Sequence, residues 1–187
     1  MNTRSTFRWA KYVVTIAIAI AFAFAAKAQS NDSARINDLL KNVKSHAALA
    51  THDAEMLQSF TRSDLSWQSH AIQINMIKEH INNLIEDHNA MIAAREEASP
   101  WQQKAIDRTD PVVKEIADRL TATIDHLNNN QNKIKLQAYR DYVHSSYELI
   151  TTLDKMVNDF VNYEEAKSKA DTLEQDLELP ASSGEAQ

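Results

Sequence analysis

The sequence predicts an all-α protein, an antiparallel up-down-up-down four-helix bundle with long helices, preceded by a signal peptide. Three observations carry that expectation. Turn-forming residues are nearly absent from the body of the chain, apolar residues recur at helical spacing over long stretches, and the first 28 residues have the make-up of an export signal. The only glycine is Gly184, and the only prolines are Pro100, Pro111 and Pro180. Hairpins depend on residues that tolerate positive φ or fix it, so a chain this poor in them has little means of building a sheet.

At the start, Arg4, Arg8 and Lys11 stand without an acid. Tyr12 to Ala26 is then apolar apart from Thr15, and Ala26-Lys27-Ala28 sets small residues before Gln29. A basic segment, a short apolar segment and an A-x-A site are the three parts of a secretory signal. The apolar run falls short of the ~20 residues that a membrane-spanning helix needs. The expectation is an exported protein, periplasmic or secreted, with no stable membrane anchor after cleavage. The domains expected are a signal peptide at 1–28, a helical bundle domain at 29–177 and a disordered polar tail at 178–187.

Cleavage changes the charge. Four of the 20 basic residues and none of the 26 acids lie in residues 1–28, so removal takes the formal charge from −6 to −10. A chain this acidic is repelled by phosphate backbones, and nucleic acid is not an expected partner. There is no cysteine, so packing alone holds the exported fold.

The first helix of the bundle is expected over Asp32–Phe60. Its seam is Ile36, Leu40, Val43, Ala47, Ala50, Ala54 and Leu57, alternating steps of four and three. Thr61 to Ser66 is rich in capping residues and breaks the heptad, which predicts a turn. The second helix, expected over Asp64–Ala98, puts Trp67, His70, Ile74, Ile77, Ile81, Leu84, His88 and Met91 on its seam. Ser99-Pro100 then reads as a cap followed by proline at the first helical position. The third helix carries Ile106, Val113, Leu120 and Leu127 at sevenfold spacing, with a kink expected at Asp110-Pro111. After the Asn128–Asn132 break, the fourth is expected over Lys133–Asp176. Its seam is Tyr139, Val143, Ser146, Ile150, Leu153, Val157 and Phe160. Short joins between helices of this length predict antiparallel neighbours.

Trp67-Gln68-x-x-Ala71-Ile72 recurs as Trp101-Gln102-x-x-Ala105-Ile106, but the following positions do not match, which argues against a solenoid. The expected role of each tryptophan is to wedge the start of its helix against the bundle.

Chemistry is hard to place on this chain. Attachment of c-type haem needs C-x-x-C-H, which a cysteine-free chain cannot supply. A di-metal carboxylate site needs Glu-x-x-His on two helices; the nearest approach here is a single Asp141-x-x-His144. The histidines are His46, His52, His70, His80, His88, His126 and His144, and no two lie three, four or seven residues apart. No helix face therefore presents a chelating pair, and no metal ligand is expected. His70 and His88 are the two on a seam. They are the weak candidates for a small-molecule, haem or metal site inside the bundle, and at ~27 Å apart along one helix they cannot share it. No serine or histidine sits on a strained turn that would expose a nucleophile, so no catalytic residue is expected. The function expected is that of an exported, non-enzymatic helical-bundle protein, without cofactor, acting through protein–protein contacts or self-association. The alternative is a ligand binder with its site near His70 or His88.

Overall fold

The computed structural model describes residues 9–177 and, from Ser33 onward, their side chains. Residues 1–8 of the expected signal and the whole expected tail, 178–187, lie outside the described residues, as do the side chains of the rest of the signal. The chain is all-α. Four helices follow one another, α1 (Trp9–Phe60), α2 (Trp67–Ala93), α3 (Pro100–Asn129) and α4 (Gln137–Asp176), and no strand occurs among the described residues. From Ser33 onward, no helix is long and apolar enough to cross a membrane.

The helix ends follow the chemistry of their capping residues. α1 stops at Phe60, where the Thr61 hydroxyl donates to the carbonyl of Gln58 at 2.7 Å. α2 begins at Trp67 rather than at Asp64, because Ser66 takes the extended cap conformation and accepts from the Ser69 amide. Asp64, left in the turn, pairs instead with Lys135 in the facing turn. α2 also ends early, at Ala93, and one 3-10 turn at Arg95–Glu97 leads to Ser99. Arg95 grips the carboxylate of Asp107 with two hydrogen bonds of 2.7 Å, which ties that turn to α3. α4 begins at Gln137 rather than Lys133, since Gln131–Lys133 forms a separate 3-10 turn and Leu136 is extended.

Pro111 lies inside α3, which runs unbroken from Pro100 to Asn129. Proline cannot donate to the carbonyl four residues earlier, that of Asp107. Both Asp107 and Pro111 are exposed, so the missing bond lies away from the core seam, which keeps its phase.

Each helix packs on two neighbours, α1 on α2 and α4, and α3 on α2 and α4. Along the α1/α2, α1/α4 and α3/α4 pairs, partner numbers fall on one helix as they rise on the other. His46 meets Asp87 while Asp53 meets Gln73; Asn37 meets Glu164 while Gln58 meets His144. Between α3 and α4, Thr123 meets Ser146 and Trp101 meets Tyr163. The seven expected seam residues of α1 are all at most 2% exposed, and three of them are alanines that let α2 and α4 come close. Ile77, Ile81, Leu84, Ile116, Ile150 and Leu153 fill the interior between the four helices. Burying each such side chain contributes about 1.5–3 kcal/mol.

The seam of α4 departs from expectation at its far end. Val161, not Phe160, continues the buried row after Val157. Phe160 is half-buried and turns toward α3, which shapes the surface described below.

Candidate functional site

His70 sits on the first turn of α2 and is 1% exposed. Its Nδ1 lies 3.0 Å from the Tyr139 hydroxyl at the start of α4. The ring of Phe60, at the end of α1, packs edge-on at 5.7 Å. His126, from the last turn of α3, stacks on Tyr139 at 6.0 Å and lies tilted against Tyr142 at 4.8 Å. All four helices thus contribute to one aromatic cluster. No charged group is among the causes acting on His70: burial alone pushes its pKa down, and burial pushes the Tyr139 phenol well above its usual range. At neutral pH both are uncharged, and one shared proton satisfies the pair.

His88, also 1% exposed, lies further along α2, where its Nε2 is 3.0 Å from the Thr109 hydroxyl of α3. That hydroxyl has a single proton and donates it to the carbonyl of Ala105 at 2.8 Å. The hydroxyl thereby bridges the His88 ring to the backbone of α3. Burial holds the His88 pKa down, and Lys114 adds to the effect, while Asp110 and the backbone of Ile106 oppose it. The two seam histidines occupy separate surroundings, as expected, with one ring nitrogen of each engaged by a neighbouring hydroxyl.

The remaining histidines disperse. His46 faces Asp87 at 3.6 Å, His80 faces the buried Asp53 at 3.3 Å, and His144 lies 2.8 Å from Gln58. His52 is exposed. Among the described residues, no group of three or more histidine or carboxylate side chains gathers as metal ligands would.

Buried polar groups that periodicity does not reveal hold the helices in register. Gln102 is fully buried at the start of α3. Its amide donates to the carbonyl of Ser33 at 2.8 Å and to Asn37 Oδ1 at 2.6 Å, and its oxygen accepts from the Ser99 amide at 2.9 Å. Asn37 in turn donates to Glu164 of α4 at 3.1 Å, so one amide joins three helices. Gln73 does similar work between α1 and α2 by donating to Asp53. Within the repeated Trp-Gln pair only the tryptophans are equivalent. Trp67 and Trp101 both pack against the core, whereas Gln68 is exposed where Gln102 is buried.

A groove of about 560 Å³ opens between α3 and α4. Its apolar walls are Trp101, Met156, Phe160 and Tyr163, with the Trp101 and Tyr163 rings edge to face at 5.5 Å. Lys104, Arg108 and Lys155 line it against a single acid, Asp159. The Arg108 guanidinium lies over the Phe160 ring at 5.8 Å. Among the described residues, none of these three cations has an ion-pair partner within 4.0 Å. Unpaired positive charge beside open aromatic faces, on a chain of net negative charge, is a surface suited to an acidic, partly apolar partner. Sequence reasoning did not single out this groove. The signal was present in Trp101, Lys104 and Arg108, spaced by three and four on the outer side of the α3 seam, but its other wall comes from residues some fifty positions away.

No protein-family model matches the chain, no curated protein matches it in sequence, and no solved structure matches it.

Proposed function

We propose that the chain is an exported, non-enzymatic protein, built as an antiparallel up-down-up-down four-helix bundle, that acts through protein–protein contacts or self-association. The falling partner numbers along three of the helix pairs support the bundle topology. The observation that carries the function is the far part of α4. Beyond Val161 no residue of that helix is buried, yet it continues for four more turns with Tyr163, Leu173 and Leu177 each about half exposed or more. A helix needs an apolar face covered to be stable in water, so a stretch left bare implies something that covers it. The acidic balance argues against nucleic acid. The make-up of residues 1–28 supports export to the periplasm or medium; an N-terminus at Gln29 on the recovered protein would establish it.

The test is the mass in solution of the processed protein, alone and with envelope extract. A strict monomer that forms no complex under either condition would overturn the reading. The rival function, a haem, metal or small-molecule binder near His70 or His88, requires a Soret band or stoichiometric metal that His70→Ala or His88→Ala removes.

A further inference from the structure

We propose that the occupant of the α3/α4 groove is the exposed end of α4 from a second copy of this chain, the two copies exchanging ends about a twofold axis. The proposal rests on the contact-based function above and names the partner.

Four observations point the same way. Met156, Phe160, Tyr163, Ala166, Ala170, Leu173 and Leu177 follow one another at three- and four-residue steps, so one face of α4 runs from the groove wall to the helix end. That face is bare, with Tyr163 52%, Leu173 48% and Leu177 63% exposed. The charges are complementary: the free end carries Glu165, Asp171, Glu174 and Asp176 against Lys167 and Lys169, while the groove offers Lys104, Arg108 and Lys155 against Asp159. Finally, the pattern complements itself when reversed. An axis passing between Ala166 and Lys167 sets Leu177 against Met156 of the partner subunit, Leu173 against the partner's Phe160, and Ala170 against the partner's Tyr163. The smallest of these residues thus meets the bulkiest ring. The same surface serves both copies, as a closed dimer requires, and the paired stretch is ~32 Å long at 1.5 Å per residue.

The chain's lack of cysteine makes the geometry directly testable. Ala166 lies beside the proposed axis, so Ala166→Cys should form a disulfide with its own copy under mild oxidation. Ser45→Cys, on the exposed face of α1, should not. The processed full chain should sediment at twice the chain mass. Combined reversal by Lys104→Glu, Arg108→Glu and Lys155→Glu should raise the dimer dissociation constant about 10- to 100-fold, with the helical circular dichroism unchanged. Added salt should weaken the wild-type dimer in the same direction. A monomer that instead captures another protein would overturn the second-copy occupant while leaving the contact-based function standing. A dimer that ignores the charge reversal and fails to cross-link at position 166 would overturn the groove but keep self-association. A chain that neither dimerises nor binds anything would overturn both.

Discussion

At one end of the molecule Phe60, His70, His126, Tyr139 and Tyr142 come together from four helices, with His70 and Tyr139 bonded to each other and sealed from water. Toward the other end Trp101, Phe160 and Tyr163 come from two helices and stay partly open, with Lys104, Arg108 and Lys155 beside them. The composition of the two clusters is similar. What differs is the number of helices that converge. Where four meet, the central pair, His70 and Tyr139, is covered on all sides and its polar atoms must find partners within the protein. Where two meet on the outer surface, aromatic faces and charges stay available. The first arrangement encloses its polar pair within the protein; the second leaves its rings and charges accessible.

The sharpest way to break that contrast is to truncate one aromatic from each cluster. Tyr139→Ala removes a ring with no exposed surface and leaves His70 without its partner, so it should cost about 3–5 kcal/mol in urea unfolding. Trp101→Ala, at a half-buried site, should cost clearly less, about 1–2 kcal/mol. Equal losses would mean that the groove is part of the core after all. The open end nevertheless has its own closed interior beneath the groove. Gln102→Leu keeps the volume but strands the Ser33 carbonyl and the side chain of Asn37, and should cost about 1–3 kcal/mol.

Acid sharpens the comparison by direction. The folded pKa values of His70 and His88 lie below the free value of 6.5, so the unfolded chain takes up a proton first as pH falls. Their contribution to stability is complete above pH 6.5 and is lost between there and their folded pKa values. Wild-type melting temperature should fall across that window, and His70→Gln should flatten the fall. An unchanged slope would show that His70 does not control acid stability. The smallest effect should come from the groove charges. Arg108→Glu, at an exposed and unpaired site, should change monomer stability by no more than about 0.5 kcal/mol.

Much of the fold was legible because burial obeys periodicity. Every residue placed on the α1 seam is buried, and so are Ile74 to Met91 on the α2 seam and the sevenfold row of α3. The Thr61–Ser66 turn was legible from its capping residues. Phe160 and Val161 show where periodicity stops being informative. Both are apolar, and a step of three or of four from Val157 is equally regular, so only packing against α3 decides which one turns inward. The ends of α2 and α4 were displaced for a similar reason: Asp64 and Lys133 are acceptable starts until Ser66 and the 3-10 turn compete for the same backbone. Gln102 and the groove were hidden more deeply. Each depends on residues from distant parts of the chain, and no local pattern distinguishes a buried glutamine with a full set of partners from an exposed one such as Gln68.

Gln102 has a consequence for timing. Its partners Ser33 and Asn37 precede it by 69 and 65 residues, and Asn37 also waits for Glu164, 127 residues later. The bonds of Gln102 join α3 to α1, which are not packed neighbours, and the Asn37 bond adds α4. The full set of bonds closes only once α4, which follows the other three helices along the chain, has arrived. Until then α1 has one flank uncovered and the interior remains open to water. Under the export proposed above, such late closure would leave the chain unfolded until nearly all of it had crossed.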